Sequence, residues 1–372
     1  MLTKKIKVLI VDDSALVRRM LTEMLSSDAS IEVVGTAEDP FDAREKIKAL
    51  NPDVITLDIE MPKMDGVTFL RNLMRLHPLP VVMVSSLTEE GADVTLAALE
   101  LGAIDFVTKP RVNVGGSLTD YKEEIIEKIK MAAKVTVSRV ELNVLQSPVK
   151  ITENPVHPTP ATMIPAKLSA DAILSQHASV KEKSCQRIIA IGASTGGTEA
   201  IREVLTALPE NMPPIVITQH IPAAFSGPFA KRMDSISALS VHEAEERQLI
   251  LPGHVYIAPG SQHLLIESVG GKLICRLHDG PPVNRHKPSV DVMFRSVAKV
   301  CGNNAIGVLL TGMGDDGARG LKELQDVSAK TIAQDEKTSV VWGMPGEAVK
   351  LGAADLVLPL SEVASKLLVL SM

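Results

Sequence analysis

Residues 187–208, RIIAIGASTGGTEAIREVLTAL, pass from an apolar run through a glycine-rich turn into an amphipathic segment. β-Branched residues, then a turn, then apolar residues at helical spacing predict a strand, a tight loop and a helix. Gly192, Gly196 and Gly197 admit two readings. They let backbone N–H groups cradle an anion at a helix start, or they let the chain turn sharply enough to push Ser194 outward. A phosphate loop carries G-x-x-x-x-G-K-[ST], or G-x-G-x-x-G with a later acidic residue, and neither is present, whereas G-x-S-x-G is. A serine there is also a common helix cap, so the pattern needs partners.

The same unit recurs on both sides. Downstream come PIVITQH (214–220), FAKRMDSI (229–236), HVYIAPG (254–260), a hairpin HLLIESVGGKLICRLH (263–278) turning at Gly270-Gly271, VDVMFRSVAKV (290–300), AIGVLLTGMG (305–314), ARGLKELQDV (318–327), KTIAQDE (330–336), EAVKLGA (347–353) and ADLVLPL (354–360). Upstream, KVLIVDD (7–13), IEVVGTA (31–37), DVITLDI (53–59), VVMVSS (81–86) and DFVTKP (105–110) alternate with amphipathic stretches, and a last helix is expected near 120–135. Strands alternating with helices predict parallel, doubly wound sheets. The fold class is therefore α/β with two such sheets, the second carrying an inserted antiparallel hairpin. A chain of 372 residues exceeds what one core usually supports. Between about Ser138 and Lys183 the periodicity fades into a Pro-, Thr- and Ser-rich stretch that reads as a linker, with room for a helical turn around LSADAILSQH (168–177).

Composition removes several functions. A net charge of −6 and 2% aromatic residues offer neither a basic field nor stacking platforms, so nucleic acid is not an expected partner. No apolar run approaches the ~20 residues of a membrane helix, and the N-terminal apolar stretch ends in Asp12-Asp13 without a cleavage site, so no membrane insertion and no signal peptide are expected. Cys185, Cys275 and Cys301, odd in number and widely spaced, argue against a disulfide framework or a zinc site and fit a reducing cytoplasm.

In open parallel sheets functional groups gather at the carboxyl ends of strands. The first, third, fourth and fifth strands end in Asp12-Asp13, Asp58, Ser85 and Lys109. Loops are polar in any protein, but crowded carboxylates repel unless a cation sits among them, and oxygen ligands of this kind suit Mg²⁺. Residues 5 to about 125 closely resemble the response-regulator receiver family. The resemblance implies a flavodoxin-like domain over 1–125 in which Asp58 accepts a phosphoryl group from a histidine kinase, Asp12, Asp13 and Asp58 hold Mg²⁺, Ser85 bonds the phosphoryl oxygen and Lys109 pairs with its charge.

In the second half, His220 follows an apolar strand adjacent in sequence to that of Ser194, and AIGVLLTGMGDDG brings Asp315 and Asp316 to another strand end. A lone histidine is more often a surface group, and a glycine-rich turn with aspartates is often only a cap. Together they supply a nucleophile, a base and an orienting carboxylate in the order Ser, His, Asp, which differs from the Ser, Asp, His of α/β-hydrolases. Spacing does not separate Asp315 from Asp316. The strings IGASTGG, QHIPAAFSGPFAKR, YIAPGSQH, HDGPPVNRHKPSVDVMF, LTGMGDDG and WGMPGEA resemble the CheB family of chemotaxis protein-glutamate methylesterases. This resemblance implies a Rossmann-like catalytic domain over 185–372, joined to the receiver by a helix end and linker over 126–184. It implies Ser194 as nucleophile, His220 as base, Asp316 as carboxylate, Met313 at the oxyanion beside the backbone N–H groups that the helix opening at Thr195 offers, and no cofactor for the esterase chemistry. It further implies a cytoplasmic enzyme that releases methanol from glutamate methyl esters of methyl-accepting chemoreceptors, deamidates receptor glutamines, and is regulated by phosphorylation. Arg285 and His286 are candidates for flanking a carboxylate-rich substrate helix, against the simpler reading of a structured loop. His263 is a weaker candidate, and Trp342 reads as packing. A non-catalytic adaptor and a transcriptional regulator are the rival functions, the latter without any helix-turn-helix pattern or basic helix to support it.

Overall fold

The computed structural model describes residues 4–86, 88–109, 118–135, 167–175 and 186–372. The first half contains β1 (Ile6–Val11), α1 (Ala15–Ser26), β2 (Ile31–Ala37), α2 (Pro40–Leu50), β3 (Val54–Asp58), α3 (Gly66–Leu76), β4 (Val81–Ser85), α4 (Glu89–Glu100), β5 (Asp105–Thr108) and α5 (Leu118–Ala132). Its strands pair in parallel in the order β2-β1-β3-β4-β5, the expected flavodoxin-like winding. Every residue of β3 and β4 is buried, which is why these strands read as continuous apolar runs. Asp39 caps α2 by accepting from the N–H groups of Phe41 and Asp42, and Ser14 caps α1.

The second half contains β6 (Ile188–Ala193), α6 (Gly197–Thr206), β7 (Ile215–Gln219), α7 (Ala223–Ile236), β8 (Ser240–Glu243), β9 (His254–Ile257), β10 (His263–Val269), β11 (Lys272–His278), α8 (Val290–Cys301), β12 (Ala305–Leu309), α9 (Ala318–Asp326), β13 (Lys330–Gln334), α10 (Met344–Lys350), β14 (Leu356–Leu358) and α11 (Leu360–Ser371). Seven parallel strands run β14-β13-β12-β6-β7-β9-β8, and β10-β11 form the separate antiparallel hairpin that the sequence announced. The winding reverses at β6, which lies between β12 and β7. Two elements escape the sequence reading. β8 is a four-residue edge strand, Ser-Val-His-Glu, too short and polar to show a period, and α11 follows β14 where only a strand was expected.

Of the expected linker, residues 136–166 and 176–185 lie outside the described residues. Residues 167–175 dock on the second half. A single helical turn at Ala170–Ala172 sets Ala170 against Val283 and Val292, Asp171 meets Arg295 at 2.8 Å, and Leu174 O accepts from the same guanidinium at 2.8 Å. Cys275 is free and buried, whereas Cys301 is disulfide-bonded, a departure from what the cysteine spacing suggested.

The halves touch. Phe106 of β5 stacks on Phe225 of α7 with centroids 4.5 Å apart, which joins the apolar cores of the two sheets. Arg232 of α7 forms an ion pair with Glu100 at the end of α4.

Candidate active site and acidic pocket

The ends of β1, β3 and β5 bring Asp12, Asp13, Asp58 and Lys109 together. Carboxylate oxygens of the three aspartates lie within 4.8 Å of one another. Lys109 Nζ sits 2.8 Å from Asp58 Oδ2 and 3.7 Å from Asp12 Oδ2. Burial pushes the Asp58 carboxyl up to about 6 despite the Lys109 hydrogen bond, and burial raises Asp12 as well. Asp12 Oδ2 is buried without a hydrogen-bond partner while Asp13 is exposed, so the donor set fits a hard divalent cation that keeps water ligands. Ser85 turns the other way: its hydroxyl accepts from Thr95 Oγ1 of α4 at 2.7 Å.

At the reversal point of the second sheet, β12, β6 and β7 bring Ser194, His220 and Asp316 together. Ser194 follows β6 directly; its N–H donates to Thr311 O at 3.0 Å, and its carbonyl accepts from Gly197 N at 2.7 Å and Gln219 Nε2 at 2.8 Å. Gly196 holds φ +73°, the left-handed conformation that lets the turn enter α6. At Gly192 a Cβ would stand 2.2 Å from Val290 Cγ1, so only glycine lets α8 pack against the strand beneath the turn. His220 N donates to Ala193 O at 3.1 Å, which sets the serine and histidine side by side.

His220 Nε2 lies 2.8 Å from Asp316 Oδ2. Its other nitrogen, Nδ1, is buried with no hydrogen-bond partner, so the Ser194 hydroxyl does not bond the ring in this conformation and Nδ1 is the nitrogen left to meet it. Asp315 faces outward and pairs with Lys167 of the docked segment. Asp316 is fully buried and accepts from Asn284 Nδ2 (2.7 Å), Ser289 Oγ (2.8 Å), Val290 N (2.7 Å) and Asp291 N (3.3 Å). Burial alone would raise this carboxyl, but the His220 hydrogen bond and the charges and donors around it hold it well below the usual carboxylate range.

The candidates 285 and 286 separate. Val283 and His286 bridge a two-residue turn in which Asn284 (φ +52°) and Arg285 (φ +72°) are both left-handed, a hairpin geometry that favours Asn at its first position. Arg285 stands exposed at the tip, and His286 folds back onto His220, ring centroids 3.7 Å apart and 14° from parallel. Burial and the His220 ring push the His286 imidazole down to about 3, so it stacks as a neutral ring. Thr195 is buried, and its hydroxyl donates to Asp105 Oδ2 of β5 at 2.5 Å. Among the described residues the N–H groups of Thr195 and Met313 donate to no protein acceptor. His263 is wholly buried and braces the 281–289 loop through Pro281 O and Ser289 N. Trp342 donates to Gln334 O at 2.9 Å beside the Gly312 turn. Sequence reasoning missed Asn284, Ser289, Asp291 and Gln219; the one available signal was an Asn at the first position of a tight turn in PPVNRH.

Comparison with known proteins gives a CheB methylesterase family match over residues 189–367 and a response regulator receiver domain match over 8–114. A protein-glutamate methylesterase/protein-glutamine glutaminase of Hydrogenovibrio crunogenus is 62% identical over 371 residues, covering 98% of this chain and 99% of that one. The chain belongs to the CheB methylesterase family. A second CheB-family relative, protein-glutamate methylesterase/protein-glutamine glutaminase 1 of Xanthomonas euvesicatoria, is 58% identical over 98% of this chain and 97% of its own. The crystal structure of the Thermotoga maritima CheB methylesterase catalytic domain matches with a TM-score of 0.49 and 40% identity, covering 50% of this chain and 98% of that one. Among the described residues of this CheB-family chain no helix is long and apolar enough to cross a membrane.

Proposed function

We propose that the protein is a phosphorylation-regulated hydrolase that removes methyl groups from glutamate methyl esters of chemoreceptors and deamidates receptor glutamines in the cytoplasm, with a chemotaxis histidine kinase as phosphodonor. The receiver spans 1–125, the joining segment 126–184, and the catalytic domain 185–372, with residues 167–175 carried on the catalytic domain.

The reading rests on one geometry: a buried carboxylate 2.8 Å from His220 Nε2, with Nδ1 left without a hydrogen-bond partner on a residue whose N–H bonds the carbonyl of Ala193, next to Ser194. Ser194 Oγ attacks the ester carbonyl carbon while its proton passes to His220 Nδ1. Asp316 keeps the remaining proton on Nε2, orients the ring and stabilises the imidazolium. The carbonyl oxygen takes the negative charge, and the unengaged N–H groups of Thr195 and Met313 are its donors. As the tetrahedral species collapses, the C–O bond to methanol breaks and His220 returns the proton to the leaving oxygen. Water then adds to the acyl carbon with His220 again as base, which frees the glutamate carboxylate and Ser194. With glutamine, ammonia leaves by the same route. Arg285, exposed at its turn, suits neighbouring carboxylates of a substrate helix.

In the receiver, Asp12, Asp13 and Asp58 would hold Mg²⁺, which neutralises charge on a phosphoryl group being transferred. Asp58 is the acceptor, Lys109 pairs with its charge, and Ser85 leaves Thr95 to bond the phosphoryl oxygen.

Methanol release from a methylated receptor tests the reading. Ser194→Ala is expected to lose at least about a thousandfold in rate. A serine-directed covalent probe should label wild type and not the variant; equal labelling, or release that survives Ser194→Ala, would favour the adaptor reading.

A further inference from the structure

Behind Asp316 lies a second carboxylate for which the proposed triad has no use. Asp291, in the first turn of α8, is 4% exposed. Its Oδ2 accepts from Asn284 Nδ2 at 2.6 Å and its Oδ1 from Gly320 N at 2.6 Å. The same Asn284 nitrogen donates to Asp316 Oδ1 at 2.7 Å. One amide nitrogen, with its two hydrogens, thus stands between two buried carboxylates.

Two buried like charges this close repel, and a well-packed apolar side chain at 291 would be less costly to bury. We propose that Asp291 is a positioning residue for the reaction, a second anion that acts on His220 through Asn284 and Asp316. This rests on the triad reading above. The carboxylate accepts only from N–H, so it fixes which end of the Asn284 amide faces Asp316. With the amide reversed, a carbonyl oxygen would point at the carboxylate. Its charge also favours the imidazolium that forms when Ser194 loses its proton, because inside the protein that charge is weakly screened.

The other charged and titratable groups around the network are few. Glu323 faces Asp291 and is itself paired with Arg295. His286 lies against His220, His263 faces Asp316, and Lys167, Lys128 and Lys287 act on these two imidazoles from farther off. Burial and the Asp316 charge push the Asp291 carboxyl up to about 7, so both carboxylates carry their charge only above that pH, which is where kcat is compared.

The test uses the full-length protein with a small-molecule phosphodonor and a methylated receptor. Asp291→Asn keeps the shape and removes the charge. Its kcat is expected to fall about tenfold with KM within about twofold, the scale of one charge-assisted hydrogen bond. The acid limb of the kcat–pH profile should move to lower pH, since the protonated base loses a stabilising neighbour. Asn284→Gly, which keeps the left-handed turn and deletes the amide, should give the same fall in kcat and carries the test alone if Asp291→Asn does not fold. A kcat within twofold of wild type, or an acid limb that stays put while only the melting temperature falls, would overturn the proposal. Ser194→Ala and Asp316→Asn, assayed in parallel, separate that result from failure of the triad itself, in which case these two would also remain active.

Discussion

The Thr195 hydroxyl donates a 2.5 Å hydrogen bond to Asp105 Oδ2, so a carboxylate of the first sheet is seated on the residue that follows Ser194. Asp105 is held there by Lys128 at 3.3 Å and by the N–H of Phe106, whose ring stacks on Phe225. The receiver therefore reaches the candidate active site through a side chain and not merely by proximity.

Removing that carboxylate should loosen the contact. Asp105→Ala is expected to raise methanol release by the unphosphorylated protein about ten- to a hundredfold, the range of a hydrogen bond to a charged group expressed as coupling between domains. Deleting residues 1–140 should raise it at least as far. If Asp105→Ala leaves the basal rate unchanged, the contact has no regulatory weight.

Glu100 and Arg232 form a second, half-buried tie between α4 and α7. A charge reversal at Arg232 is expected to raise basal activity about two- to fivefold, in keeping with the modest worth of an ion pair near the surface. Pairing it with Glu100→Arg should restore the low rate. A double variant as active as the single one would mean that the pair does not latch the halves.

Phosphorylation is expected to depend on the acidic pocket and the esterase chemistry is not. Asp58→Asn should keep its basal rate and ignore phosphodonors. Chelation of divalent cations should do the same to wild type, because Asp12 Oδ2, which has no hydrogen-bond partner, and its neighbours lose the cation that balances them. Basal activity lost on chelation would contradict the assignment.

His286 supplies a pH test. Its imidazole drops from 6.5 to about 3 on folding, so between those values the unfolded chain binds the extra proton, and stability falls as pH drops below about 6.5. Asp291, raised by burial, contributes the opposite slope in wild type and variant alike. The melting temperature of His286→Phe should therefore fall less than that of wild type between pH 7 and pH 5. Parallel curves would show that the stacked ring is not held neutral.

Much of this molecule is written locally. VLIV (8–11), VITL (54–57) and IIAI (188–191) are buried runs because their side chains are apolar or β-branched without interruption, and Asp12, Asp58, Ser194 and His220 follow because a parallel sheet presents its strand ends on one edge. β8 was not legible, since an edge strand of four residues has half its surface in water and no period to read.

The chain alone fixed which residues stand at strand ends. It left Asp315 and Asp316 equivalent, could not say that His286 would lie flat on His220, and held no trace of Asp291 reaching Asp316 through Asn284 or of Asp105 reaching Thr195. Each of these depends on where a turn or another domain places a side chain against residues remote in sequence. Such contacts are selected by packing and burial of charge in the assembled fold, which act through space, whereas periodicity and turn chemistry act only along the chain.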